Sequence, residues 1–130
     1  MLVAIIDDEL DIVNLFREAL HNIKGVTIFT FTDATVALEH FRINNSAYGM
    51  VITDLRMPDI NGLDLVYEVK KINPSVRTLL MTAFEVNDDL FYQYIKNRVI
   101  NGFLQKPIKL GELRREVIKQ INIFRKSKTR

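Results

Sequence analysis

Five polar residues stand just past short apolar runs. Asp7 and Asp8 follow the run from Leu2 to Ile6, and Asp54 follows Met50 to Thr53. Thr82 follows Val76 to Met81, and Lys106 follows Gly102 to Gln105. Brought together, three carboxylates repel one another, and each resists ionisation without a compensating charge. A hard divalent cation removes that conflict. Mg²⁺ takes one or two carboxylates together with waters and phosphate oxygens, and Mn²⁺ accepts similar ligands. Asp54 is then a natural nucleophile, because an aspartate can form an acyl phosphate. Phosphoryl transfer asks mainly for positioning and charge neutralisation. Lys106 supplies a mobile point charge opposite the cation, and the Thr82 hydroxyl can donate to a phosphoryl oxygen. Each residue also has an ordinary reading. Asp7 or Asp8 can be a helix cap, Thr82 a loop cap and Lys106 a surface charge. His21 and His40 fall in helical segments away from the run ends, so imidazole ligation is not indicated.

The elements that would position these residues alternate along the chain. Leu2 to Ile6 reads as a buried parallel strand. Leu10, Val13, Phe16, Leu20 and Ile23 follow at helical spacing, closed by Gly25. Val26 to Phe31 is a second strand, rich in β-branched and aromatic residues. Asp33 is a plausible N-cap for a helix carrying Ala34, Ala37, Leu38 and Phe41. A third strand leads to Asp54, then a turn with Pro58 and Gly62, then a helix through Leu63, Val66 and Val69 that ends near Asn73-Pro74. Val76 to Met81 is the fourth strand, followed by a helix through Leu90, Tyr94 and Ile95. Gly102 to Gln105 is the fifth strand. The last helix runs from Leu110 to about Phe124, with Leu113, Val117, Ile118 and Ile121 on its inner side. Five strands alternating with five helices predict an α/β domain with a parallel sheet, and right-handed crossovers cover both faces. In such sheets ligands sit beyond the carboxyl ends of the strands. All five polar residues would meet there.

The bulk numbers fit one domain. The 130 residues are 48% hydrophobic and 26% charged, which excludes a disordered chain. There are no cysteines, so disulfides and thiolate metal sites are impossible. No apolar run approaches the roughly 18 residues of a membrane helix. The N-terminus lacks a basic leader, so a cytoplasmic chain without membrane contact is expected. The net charge of +2 hides an asymmetry: from Lys106 onward there are nine basic and two acidic residues. A solvated helix face and a basic tail over 125–130 account for that excess. No aromatic residues interleave with the tail, so direct nucleic-acid binding is not expected. The Gly-Lys-Ser/Thr loop of P-loop enzymes is absent.

In order, Ile5-Ile6-Asp7-Asp8-Glu9, Val51-Ile52-Thr53-Asp54-Leu55-Arg56-Met57-Pro58, Gly62, Met81-Thr82-Ala83 and Phe103-Leu104-Gln105-Lys106-Pro107 resemble the receiver domains of two-component response regulators. The likeness spans roughly residues 2–124, placing the receiver domain at 1–124. It implies a single doubly wound, flavodoxin-like five-stranded sheet in the order 2-1-3-4-5 with five helices. It also implies roles. Asp8 would ligate the metal directly and Asp7 largely through water, with Asp54 as phosphoacceptor and ligand and the Arg56 backbone carbonyl completing the metal site. Thr82, the Ala83 backbone and Lys106 would contact the phosphoryl group. Phe103 stands at the family's switch aromatic, although it also reads as a plain core aromatic. The Lys106–Pro107 bond would be cis. The implied partners are a sensor histidine kinase or phosphotransfer protein upstream and a protein target or effector domain downstream. The domain would be a monomer or a weak phosphorylation-dependent homodimer. The output surface would be the fourth helix, fifth strand and fifth helix, and the only catalysis would be the domain's own phosphorylation and dephosphorylation.

The chain departs from the family pattern in one place. Val99-Ile100 stand where a Gly-Ala pair is common, and Asn101-Gly102 replace acidic residues that pair across dimers in one DNA-binding subfamily. Arg56 and Phe84 stand where the family tunes dephosphorylation, and they predict a long-lived phosphoryl state. Three rivals remain. A haloacid-dehalogenase-like phosphatase needs a second Asp two residues after the nucleophile, where Arg56 stands. A phosphorylation-independent interaction module usually lacks the acid pair, the acceptor or the lysine. A DNA-binding regulator would need an effector domain beyond this segment, and a stand-alone regulator is the preferred expectation.

Overall fold

The computed structural model describes residues 1–83, 93 and 99–129. Among these, five strands form one parallel sheet in the order β2-β1-β3-β4-β5. They are β1 (Leu2–Ile6), β2 (Thr27–Phe31), β3 (Tyr48–Asp54), β4 (Arg77–Thr82) and β5 (Gly102–Gln105). The helices are α1 (Leu10–Leu20), α2 (Ala34–Asn44), α3 (Gly62–Ile72) and α4 (Leu110–Lys128), with a short 3₁₀ turn at Asn45–Ala47. The expected helix through Leu90, Tyr94 and Ile95 lies outside the described residues.

A parallel sheet covered on both faces needs strands that are apolar on both sides. β3 shows this most fully, because all seven of its residues are buried. On one face Val3, Ile5, Met50, Ile52, Leu79 and Met81 pack against Val13 and Phe16 of α1 and Leu113 and Val117 of α4. On the other, Ala4, Ile6 and Val51 meet Ala37 and Phe41 of α2 and Leu65 and Val69 of α3. Each fully buried aliphatic side chain contributes roughly 1.5–3 kcal/mol of transfer free energy.

Local chemistry fixes the helix starts. The Asp33 carboxylate accepts from the backbone N–H groups of Thr35 and Val36, which caps α2 as its sequence predicts. Asn61 caps α3 by accepting from the Asp64 N–H. The glycine at 62 is required by space. A Cβ there would collide with the backbone carbonyl of Asp54, while the Gly62 N–H donates to Leu55 O at 2.8 Å.

Three expectations shift. α1 stops at Leu20, before Gly25, and Asn22 takes a left-handed φ of 66° in the turn between them. On α4, Ile118 is 36% exposed, whereas Gln120 is 1% exposed and takes the inner position. Gln120 is accommodated because its amide is satisfied. Its Oε1 accepts from Arg77 Nε at 2.8 Å, and its Nε2 donates to Glu116 Oε1 at 2.9 Å. The basic segment expected to begin at 125 continues α4 as far as Lys128. Arg125 there donates to Lys24 O at 2.5 Å and Lys128 to Ser75 Oγ at 3.2 Å. These tethers offset the fraying that a run of like charges would otherwise favour.

Candidate functional site

Strand register brings the polar residues level at one edge. Ile6 pairs with Thr53, Asp54 with Met81 and Thr82 with Gln105, so the strands end nearly in step. Asp7 follows β1, Asp54 ends β3, Thr82 ends β4 and Lys106 follows β5. The Lys106 N–H donates to Thr82 O at 2.7 Å, tying the ends of β4 and β5 together.

Carboxylate oxygens of Asp7, Asp8 and Asp54 lie within 4.8 Å of one another. Asp7 is fully buried, Asp54 is 8% exposed, and Asp8 faces solvent. Lys106 bridges two of them, its Nζ 3.1 Å from Asp54 Oδ1 and 3.3 Å from Asp7 Oδ2. Asp54 Oδ1 also accepts the Leu55 N–H at 3.0 Å, while Oδ2 receives no hydrogen bond from the described residues. Asp7 Oδ1 accepts the Glu9 N–H at 2.9 Å, so this acid also orders the turn into α1. The N-cap position of α1 falls to Glu9, which makes no side-chain cap bond, so Asp7 orders the turn without capping the helix.

Burial lifts the Asp7 carboxyl above the usual carboxylate range, and the neighbouring Asp54 charge adds to the effect. The Glu9 N–H and the Lys106 ammonium oppose it. For Lys106, burial favours loss of the proton. Its hydrogen bond to Asp54 and the charges of Asp7 and Asp54 outweigh that, and its pKa lies above the usual lysine value.

A cavity of about 390 Å³ opens at Asp54, lined by Asp54, Leu55, Arg56, Thr82, Ala83 and Lys106 but not by Asp7 or Asp8. Arg56 is exposed at its rim. The donor set fits a hard cation: three carboxylates, with neither imidazole nor sulfur in the cluster. The Lys106–Pro107 peptide bond is cis. Phe103 lies away from the cavity and is half-buried beside Val66, Leu80 and Ile100. Phe84 lies outside the described residues. The Leu55 N–H was not singled out from the sequence, because a backbone donor leaves no residue-type signal. Beside the site, Ile12, Leu15 and Phe16 of α1 with Ala83, Pro107 and Ile108 line an apolar groove of about 460 Å³. No helix among the described residues is long and apolar enough to cross a membrane.

A profile of the response regulator receiver domain matches residues 3–118. The response regulator protein PilR of Pseudomonas aeruginosa is 32% identical over 110 residues, which cover 85% of this chain and 24% of PilR. The DNA-binding transcriptional regulator NtrC of Azospirillum brasilense is 38% identical over 73 residues, 56% of this chain and 15% of that protein. The chain thus spans about a quarter of PilR, and likewise 24% of the regulator ZraR of Klebsiella oxytoca. Among solved structures, a receiver domain protein from Clostridium thermocellum superposes with a TM-score of 0.82 at 27% identity, covering 95% of this chain and 96% of that one. A beryllofluoride-activated DrrB receiver domain gives 0.75 at 21% identity over 93% and 97%, which speaks for the fold alone. With the strand order and the acidic edge in place, this chain belongs to the response regulator receiver domain family of two-component signalling.

Proposed function

We propose that Asp54 accepts a phosphoryl group and that the domain passes the change on through protein contacts. The observation that carries this reading is the Asp54 carboxylate. One oxygen is held by Lys106 and the Leu55 N–H, the other takes no hydrogen bond from the described residues, and the carboxylates of Asp7 and Asp8 lie beside the group. In the reaction an Asp54 oxygen forms a bond to phosphorus while the donor's P–N or P–O bond breaks, and the leaving group takes the electron pair. Asp7, Asp8 and Asp54, with the Arg56 carbonyl, would hold Mg²⁺, or Mn²⁺ in its place. When bound, the cation supplies charge neutralisation for the phosphoryl oxygens. Lys106 neutralises the other side. The Thr82 hydroxyl and the Ala83 N–H donate to phosphoryl oxygens. Phe103 and Thr82 act as the switch pair, leading to a surface on β5, α4 and the helix expected between β4 and β5.

The donor is a sensor histidine kinase or phosphotransfer protein. The apolar groove along α1 offers contact area beside the acceptor. The downstream partner is a protein target or an effector domain, with the receiver a monomer or a weak phosphorylation-dependent homodimer. The chain acts in the cytoplasm, where kinase and target meet, and catalyses only its own phosphorylation and dephosphorylation. Incubation with acetyl phosphate or phosphoramidate and Mg²⁺, read by intact mass, tests the core of this reading. One added phosphoryl group is expected, lost in Asp54→Asn and on chelation. An unlabelled wild-type chain under every donor would instead favour a phosphorylation-independent interaction module.

A further inference from the structure

The opposite edge of the sheet holds a second lysine, which the phosphoryl chemistry does not use. Lys70, in the last turn of α3, points its ammonium at three oxygens: Val76 O at 2.6 Å, Asn101 Oδ1 at 2.8 Å and Pro74 O at 3.4 Å. The same Asn101 oxygen accepts the Thr78 N–H at 2.9 Å and lies 3.3 Å from Thr78 Oγ1. The Asn101 N–H donates to Thr78 O at 2.9 Å, and Asn101 O accepts from Gln120 Nε2 at 3.4 Å. Thr78 Oγ1 in turn donates to Val99 O at 2.5 Å. Through its side chain and backbone together, Asn101 thus ties α3, the start of β4, the entry to β5 and α4 to one point. That point lies in the segment where the sequence departs from the family pattern, two residues before Phe103.

We propose that Lys70 is a positioning residue whose charge, acting through Asn101, fixes the entry of β5, so that coupling between the phosphoryl site and Phe103 weakens as Lys70 loses its proton. Asn101 Oδ1 takes the Lys70 ammonium and the Thr78 N–H as its donors, and every group around Lys70 Nζ is an acceptor. The ammonium's three protons match three oxygens. A neutral amine has only two, and would turn a lone pair toward one of those oxygens. No carboxylate lies within salt-bridge distance of Lys70 among the described residues. Burial, with Arg77 adding repulsion from the start of β4, pushes its pKa down to about 8. The other charges nearby do not replace the missing carboxylate. Glu116 of α4 acts on Arg77, Glu68 and Lys71 of α3 pair with each other, and Lys128 of α4 reaches Ser75.

The inference rests on the phosphoacceptor reading, so its test has two arms. In the first, the unphosphorylated protein is titrated from pH 7 to 9.5 while the amide resonances of Gly102 and Phe103 and the Lys70 side-chain carbon shifts are followed by NMR. Both amides should move with the Lys70 midpoint near 8. They should stay still in Lys70→Arg, whose charge persists, and move to a higher midpoint in Asn101→Asp, where a carboxylate faces the ammonium. In the second arm, affinity for beryllofluoride with Mg²⁺ should fall about fivefold across the same range in wild type, at the low end of typical site-to-site coupling. It should stay flat in Lys70→Arg. Lys70 titrating at its ordinary value, amides that ignore it, or a pH-independent affinity in wild type would each overturn the inference. A wild type that binds no beryllofluoride at any pH would overturn the phosphoacceptor reading and this coupling with it, and the amide titration would separate the two failures.

Discussion

The two ends of the sheet each seat a half-buried lysine among oxygens, and the two lysines respond in opposite directions. Lys106 faces the carboxylates of Asp7 and Asp54, and its pKa is raised. Lys70 faces two carbonyls and an amide, and its pKa falls to about 8. Desolvation acts on both, so the difference lies in the partners. A full negative charge outweighs the cost of burial, whereas neutral dipoles offset only part of it. At the carboxyl end the lysine is therefore held in its charged form. The amino end sits near a titration point.

Removing the cation at the carboxyl end should have the largest effect. Lys106→Met is expected to slow phosphorylation by acetyl phosphate by about 100-fold, the usual consequence of losing one preorganised electrostatic contact. Stopped-flow or mass-resolved time courses would measure it. A drop of less than threefold would mean that the acids alone organise the site.

The amino end is better probed through stability. The folded pKa of Lys70 lies below its unfolded value, so between about 8 and 10.5 the unfolded chain binds more protons than the folded one. Stability should therefore rise with pH across that window, by roughly 1–2 kcal/mol once partial exposure is allowed for. Lys70→Met should lack this rise in denaturant titrations at several pH values, whatever its stability at pH 7.

Asp7 carries the same logic with the sign reversed. Its carboxyl is raised above the unfolded value, so the folded state loses stability as pH climbs through that range. Asp7→Asn should raise the neutral-pH stability of the metal-free protein, read as a higher denaturation midpoint at pH 7. It should also reduce the thermal stabilisation that the proposed Mg²⁺ site would give wild type at millimolar Mg²⁺. Smallest is the effect of Arg56→Ala at the cavity rim. It should shorten the lifetime of the acyl phosphate by about two- to threefold, in keeping with an exposed charge. Timing the loss of phosphorylated protein would show it, and an unchanged lifetime would remove Arg56 from that role.

Much of the carboxyl end was legible in the sequence because residue type and position coincide there. A strand that ends on an acid states both its direction and its chemistry, and Asp33 announced a helix start for the same reason. The amino end was not legible in this way. Lys70 looks like one more surface lysine on a helix that also carries Lys71. Asn101-Gly102 read only as a departure from a pattern. What joins them is a contact across 31 positions, which no local periodicity encodes. The exchange of Ile118 for Gln120 on the inner face of α4 has a similar origin. Helical spacing ranked the isoleucine as core, but the amide found partners on Arg77 and Glu116 that only tertiary structure supplies. The end of α4 was missed for want of the tethers from Arg125 and Lys128.

The closeness of Gly62 to the Asp54 carbonyl has an evolutionary consequence. The turn that begins α3 is seated directly on the backbone of Asp54, the proposed acceptor, with no room for even a methyl group. A lineage could abandon phosphorylation by changing Asp54 and keep its architecture. It could not relax position 62 in the same way, because any side chain there would press on strand and helix together. Drift in a descendant that had lost its signalling role should therefore erase the acid before it erases the glycine.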